Sequence, residues 1–137
     1  MDAHAVSASA ARTVLDVADR LFGAIEGSDV AGVERLFSPQ IAVRKTGDDR
    51  DNDRRRSVRI IGWFIDSTTD RRYEILDRQV FDGGFVQQHV LHAHGRNGAV
   101  VAMRVCIVIK VGADGLITRI DEYFDPAGIA GLLAGGS

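Results

Sequence analysis

RYEILDRQVFDGGFVQQHVLHAHGRNGAVVAMRVCIVIKVGADGLITRIDEYF, residues 72–124, reads with a period of two. Four runs rich in β-branched and aromatic residues, RYEILDRQVF, GFVQQHVLHAH, AVVAMRVCIVIKV and LITRIDEYF, follow one another without a helical pattern between them. They are separated by Asp82-Gly83-Gly84, Gly95-Arg96-Asn97-Gly98 and Gly112-Ala113-Asp114-Gly115, short turns built from residues that tolerate positive φ. Strands joined so tightly lie antiparallel, and the stretch predicts a four-stranded meander.

Upstream of the meander the period lengthens. From about Ala10 to Glu26, Val14, Ala18, Leu21, Phe22 and Ile25 recur at helical spacing with the charged residues mostly elsewhere on the wheel. Gly27-Ser28-Asp29 ends that helix and offers a new N-cap. Val30, Val33, Leu36 and Phe37 then predict a second, short helix stopped by Ser38-Pro39. A brief strand, QIAVR, leads into the run DDRDNDRRRSVR, Asp48 to Arg59, whose acids and bases nearly cancel; it reads as a solvated loop feeding a helix rather than an arginine clamp for an anion. Val58, Ile61, Phe64 and Ile65 give that third helix a buried stripe, with Trp63 beside it. Helices first and strands afterwards, with no βαβ alternation, predict an α+β domain with helices over one face of a curved sheet.

The bulk numbers fit one domain, 1–137, with about 1–9 and the Gly-Gly-Ser tail 135–137 expected to be flexible. With 45% apolar and 26% charged residues the chain matches a globular protein, not a disordered one. A formal charge of −2 provides no field for phosphate backbones, so no nucleic-acid partner is expected. The lone cysteine, Cys106, lies in the apolar run VCIVI and suits a reducing, cytoplasmic setting. Asp2, Arg12 and Asp16 interrupt any signal-peptide pattern, and no apolar run is long enough to suggest a membrane partner.

The order of elements, together with EGSDVAGVERLFSP and DGLITRIDEYFDPA, resembles the nuclear-transport-factor-two-like superfamily and in particular its SnoaL-like branch. The resemblance covers nearly the whole chain. It implies a cone-shaped (cystatin-like) fold in which three N-terminal helices pack on a strongly curved, mostly antiparallel sheet, with a short C-terminal helix and a pocket open at one end. It also implies an activity drawn from a varied set, which includes ketosteroid isomerases, limonene epoxide hydrolases, polyketide cyclases, dehydratases and ligand-binding proteins, so function rests on the site. Where ketosteroid isomerases carry an aspartate base after the first strand, this chain has Lys45, and their first-helix tyrosine falls near Leu21. Where the epoxide hydrolases carry an aspartate before Tyr-Phe-Asp, this chain has Glu122, followed by Tyr123-Phe124-Asp125. Their middle-strand arginine and aspartate match Val90 and His92.

Alternation sends Thr118, Ile120, Glu122 and Phe124 to one face of the last strand. If that face meets the helices, Glu122 enters an apolar pocket, its pKa rises, and it becomes a usable general acid or base. The alternative is a carboxylate tied to an arginine or backbone amide that merely fixes the strand. On HVLHAH, His92 and His94 share a face with Gln88 and Val90, while His89 shares one with Gln87 and Leu91. An imidazole facing Glu122 could exchange a proton with it near neutrality, and His92 is preferred to His89 for that place. His-x-His is also a metal-ligand spacing, but a weak one, and neither metal nor other cofactor is expected. Met103, Val105 and Ile107 are core positions that would double as pocket wall, and Phe22, Trp63 and Phe64 would line the mouth.

Three readings follow: an enzyme moving protons on a small apolar molecule of terpenoid, steroid or polyketide type; a non-catalytic protein binding such a molecule; and a dimerisation module whose cone is filled by its own side chains. The outer face, with Arg104, Cys106, Val108 and Lys110, is mixed enough to suit a sheet-to-sheet homodimer.

Overall fold

The computed structural model describes residues 6–134. Of the ends expected to be flexible, 1–5 and 135–137 lie outside the described residues, and Ala8 and Ser9 are helical. Helix α1 runs Ala8–Glu26, with Ser7 as its N-cap accepting the Ala10 N–H at 3.1 Å. It buries Val14, Val17, Ala18, Leu21, Phe22 and Ile25. Helix α2, Val30–Leu36, starts on Asp29, and helix α3, Arg54–Ser67, starts on Asp53, each aspartate accepting a backbone N–H at 2.9 Å.

Strand β1, Phe37–Lys45, begins earlier than its sequence pattern suggests and claims Phe37 from the second helix. It contains Pro39, which a central strand could not hold; β1 is an edge, and its pairing is irregular between Phe37 and Ala42. The meander follows as β2 (Thr68–Phe81), β3 (Gly84–Gly95), β4 (Val100–Val111) and β5 (Ile117–Phe124). Sheet order is β1-β5-β4-β3-β2, antiparallel throughout except for the parallel pair β1–β5. A short 3-10 turn, Pro126–Gly128, leads into α4, Ala130–Ala134, whose Leu132 is buried. The sheet is therefore mixed, with the helices packed against it.

The core is the seam between helices and sheet. Phe85, Leu91 and Ala93 of β3 face it with Met103, Val105, Ile107 and Ile109 of β4 and Ile117 and Ile120 of β5. Close packing leaves no room for a side chain at Gly84, where a Cβ would stand 2.1 Å from the Ile109 carbonyl oxygen. Arg71 holds the helix ends to the sheet. Although only 7% exposed, it has no carboxylate partner among the described residues. It donates to the carbonyls of Ile25 at 2.9 Å, Ile65 at 3.0 Å and Thr68 at 2.7 Å, and to the hydroxyls of Thr68 and Ser28. Ile25 and Ile65 lie in the last turns of α1 and α3, where carbonyls carry partial negative charge, so one guanidinium serves two helix C-termini. Among the described residues no helix is long and apolar enough to cross a membrane.

Candidate active-site cavity

The helices do not fill the space over the sheet. They leave a cavity of about 170 Å³ lined by Leu21, Phe22 and Ile25 of α1, Ser57, Ile60, Ile61, Trp63 and Phe64 of α3, and Tyr73, Leu91, Met103, Ile107, Ile120, Glu122 and Phe124 of the sheet. Lys45, Val43 and Phe37 of β1 and Ile129 complete the wall, and Trp63, 41% exposed, stands where it meets solvent. The polar lining is thus confined to Lys45, Ser57, Tyr73, Glu122 and the Trp63 ring edge.

Glu122 is half-buried on β5, between Ile107 of β4 and Lys45 of β1. Among the described residues no donor reaches its carboxylate. Burial pushes its pKa up to about 7, against the pull of the Lys45 ammonium and with a further push from Asp48. Lys45 does not neutralise Glu122 because it is engaged elsewhere: its Nζ donates to Asp48 Oδ2 at 3.1 Å and its backbone N–H to the same oxygen at 2.9 Å. Asn52 Nδ2 adds a third bond to that oxygen at 2.9 Å. Burial alone would raise the Asp48 pKa, but these donors outweigh it and leave the carboxyl below its ordinary range. The Glu122 carbonyl is fixed by the Thr46 N–H at 3.0 Å, and Thr46 Oγ1 accepts the Phe124 N–H at 3.1 Å, which locks the end of β5 to the end of β1.

Tyr73, a wall residue the sequence pattern did not single out, carries a phenol with no hydrogen-bond partner among the described residues. Burial and then the Glu122 charge hold its pKa well above the ordinary value, so it remains a donor at every working pH. Its place depends on two irregularities in β2, between Thr69 and Arg72 and between Ile75 and Asp77, with Asp70 at φ 54°. The sets Arg71/Tyr73 and Arg78/Val80 both turn inward because the second irregularity exchanges the faces. Strict alternation along RYEILDRQVF could not have found both. Ser57 was likewise hidden in a charge run.

The histidines fall otherwise than expected. β3 pairs with β4 without interruption, His89 opposite Val105 and Leu91 opposite Met103, so the inward set is His89, Gln87 and Leu91. His92, Gln88 and Val90 point to the outer face and do not line the cavity; His92 Nε2 lies 2.9 Å from Glu74 Oε1. Leu91, flanked by Phe85 and Ala93 on the same parity, was the signal: the more apolar set faces the helices. His89 is 1% exposed but lies behind Phe22 and Tyr73, whose ring centroids are 5.6 and 4.9 Å from its own, and is not a lining residue. Its state is set from the surface inward. Asp19 accepts from Arg78 at 2.8 Å, Arg78 Nε donates to Gln87 Oε1 at 2.7 Å, and the Gln87 amide nitrogen, 2.9 Å away, donates to Nδ1. The proton therefore sits on Nε2, buried without a partner among the described residues. Burial, aided by the Arg78 charge, pushes the His89 pKa down to about 4. Val105, also expected in the wall, is 1% exposed within the core and outside the lining. Phe22, Trp63, Phe64, Met103, Ile107, Ile120 and Phe124 do line the cavity.

Helices over one face of a mixed sheet, with an apolar cavity between, define a nuclear-transport-factor-two-like fold. The chain belongs to the SnoaL-like domain family, whose profile matches residues 18–120. Solved structures agree on the fold. An epoxide hydrolase of Mycobacterium tuberculosis, like limonene epoxide hydrolases, superposes with a TM-score of 0.73 at 19% identity, covering 90% of this chain and 92% of its own. PrhC from Penicillium brasilianum gives 0.78 at 14% identity, covering 90% and 87%. A Mycobacterium tuberculosis protein in complex with estradiol-17β-hemisuccinate gives 0.74 at 13%, covering 85% and 96%. A comparison of the sequence with curated proteins finds no match.

Proposed function

We propose that the protein binds a small, mainly apolar molecule in this cavity and moves a proton on it with Glu122. The observation that carries the reading is a carboxyl, without a hydrogen-bond donor among the described residues, in an apolar wall, with a pKa pushed up to about 7. Near neutrality such a group is present in both forms and serves as base or acid. The charged form takes a proton from a ligand carbon, or from a water directed at an epoxide; the neutral form returns one. The Tyr73 phenol, kept protonated, donates a hydrogen bond to the ligand oxygen on which negative charge develops. His89 and His92 have no part in this step, and no cofactor is called on.

Size narrows the ligand. A dry cavity of about 150 Å³ holds a benzene-sized molecule, so about 170 Å³ suits a single ring or a short chain. A terpenoid or small polyketide fragment fits that volume, while a steroid would project past Trp63. Outward-facing Val86, Val90, Cys106, Val108 and Tyr123 support a homodimer through the outer sheet face, and the unpaired Cys106 supports a cytoplasmic setting.

The test takes two small substrates, cyclohexanone, followed by α-deuterium exchange in D2O, and 1-methylcyclohexene oxide, followed by diol formation. The wild type accelerates at least one, with a rate inflection near pH 7, and Glu122→Gln lowers that rate about 10²- to 10⁴-fold while the protein stays folded. Binding without acceleration of either reaction, or a rate that survives Glu122→Gln, overturns the catalytic reading in favour of a binding protein.

A further inference from the structure

Ser57 is the fourth residue of α3, and its side chain is out of keeping with its surroundings. The residue is 3% exposed, its Oγ is buried with no hydrogen-bond partner among the described residues, and it lines the cavity among Val43, Ile60 and Ile61. A serine one turn into a helix usually rotates its hydroxyl onto the carbonyl four residues back. Here the Asp53 carbonyl already accepts the Ser57 N–H at 2.9 Å and takes no bond from Oγ. Leaving a buried hydroxyl unpaired is costly, and alanine would give both a better helix former and a cleaner apolar wall. An arrangement worse for the empty protein than its simplest alternative calls for something that completes it.

We propose that Ser57 is a specificity-determining residue that hydrogen-bonds a second, neutral oxygen of the cavity ligand. Two groups of polar lining atoms come from different walls of the cavity, Ser57 from helix α3 and Glu122 with Tyr73 from the sheet, in a lining that is otherwise mostly apolar. A ligand spanning them is a compact apolar body with an oxygen at each end, such as a hydroxy-, keto- or ether-substituted ring, one oxygen at the reacting end accepting from Tyr73 and the other serving as an anchor. A charged second group is disfavoured: the Lys45 ammonium is committed to Asp48, and nothing beside Ser57 in the lining would balance an ion. The inference rests on the cavity reading given above.

The experiment uses two ring ketones of the same skeleton, cyclohexanone and 1,4-cyclohexanedione, titrated against wild type and Ser57→Ala. Quenching of Trp63, the only tryptophan of the chain and a lining residue, reports binding. The ratio of the two dissociation constants, mono-ketone over diketone, falls about three- to tenfold in Ser57→Ala, the worth of one neutral hydrogen bond. Cyclohexanone, with a single oxygen to place, loses less affinity than the diketone, and the thermal midpoint of the unliganded variant is no lower than that of wild type. A ratio that survives the substitution, or an equal loss for both probes, overturns the assignment, as does a variant that is less stable but still prefers the diketone. Failure of both probes to bind wild type would instead overturn the cavity reading itself.

Discussion

Glu122 can be tested without a substrate, through the pH dependence of folding. Its ordinary pKa of 4.5 applies to the unfolded chain, and about 7 to the folded one. Between those values the folded protein binds a proton that the unfolded chain has released, so stability contributed by the neutral carboxyl is present below about pH 4.5 and is lost as pH rises through 7. At about 1.4 kcal/mol per pH unit the interval is worth about 3 kcal/mol. Because Glu122 is only half-buried, solvent screening reduces this to about 1–2 kcal/mol. His89 works in the opposite sense. Its folded pKa is depressed to about 4 from 6.5, so the folded state prefers the neutral ring and stability is lost as pH falls from 6.5 toward 4. The two slopes oppose each other between about pH 4.5 and 6.5, and wild type should look nearly flat there. Glu122→Gln removes one of them. Urea unfolding at half-unit steps from pH 4.5 to 8.5 is expected to show the variant gaining about 1–2 kcal/mol on wild type between pH 5 and 8, about 3–6 °C in thermal midpoint. Its own stability should rise through the histidine window. A difference between the two proteins that stays constant across the range would refute the claim that the carboxyl is desolvated.

In the Glu122→Gln background, His89→Leu should flatten the remaining acid-side slope in the same urea series and leave cyclohexanone affinity unchanged, because His89 lies behind Phe22 and Tyr73 instead of in the wall. Arg71→Met should cost about 2–4 kcal/mol by urea unfolding, since it strips the last-turn carbonyls of α1 and α3 of their shared donor.

The fold was legible because its two periods are long and well punctuated. Glycine turns separate strands of 8 to 14 residues, and the face shared by Met103, Val105, Ile107 and Ile109 could belong only to a core. What escaped was where the chain departs from its period. Phe37 continues the apolar spacing of α2 but pairs with Ile117, because parallel pairing with β5 outweighs one more residue of a seven-residue helix. β1 as a parallel partner has no local signature, since its neighbour lies some eighty residues away in sequence.

For the site, alternation along β5 was sufficient to aim Glu122, because Ile120 and Phe124 on either side fix the parity. On β3 the same rule yields two self-consistent sets, and preferring His92 set aside the hydrophobic contrast between them. Leu91, Phe85 and Ala93 outweigh Val86 and Val90, and sheet parity follows the summed transfer of a row from water, not one residue's chemistry. Tyr73 and Ser57 mark the limit of pattern reading for opposite reasons. Tyr73 sits on a strand whose irregularities change faces, and Ser57 faces inward from a segment whose neighbours are arginines. Each is recognisable only as a polar group lacking a partner among the described residues, a property of three-dimensional packing that no one-dimensional period carries. In a cavity this apolar, where a ligand's oxygens can go is decided by those few groups, Glu122, Tyr73 and Ser57, more than by the shape that the fold supplies.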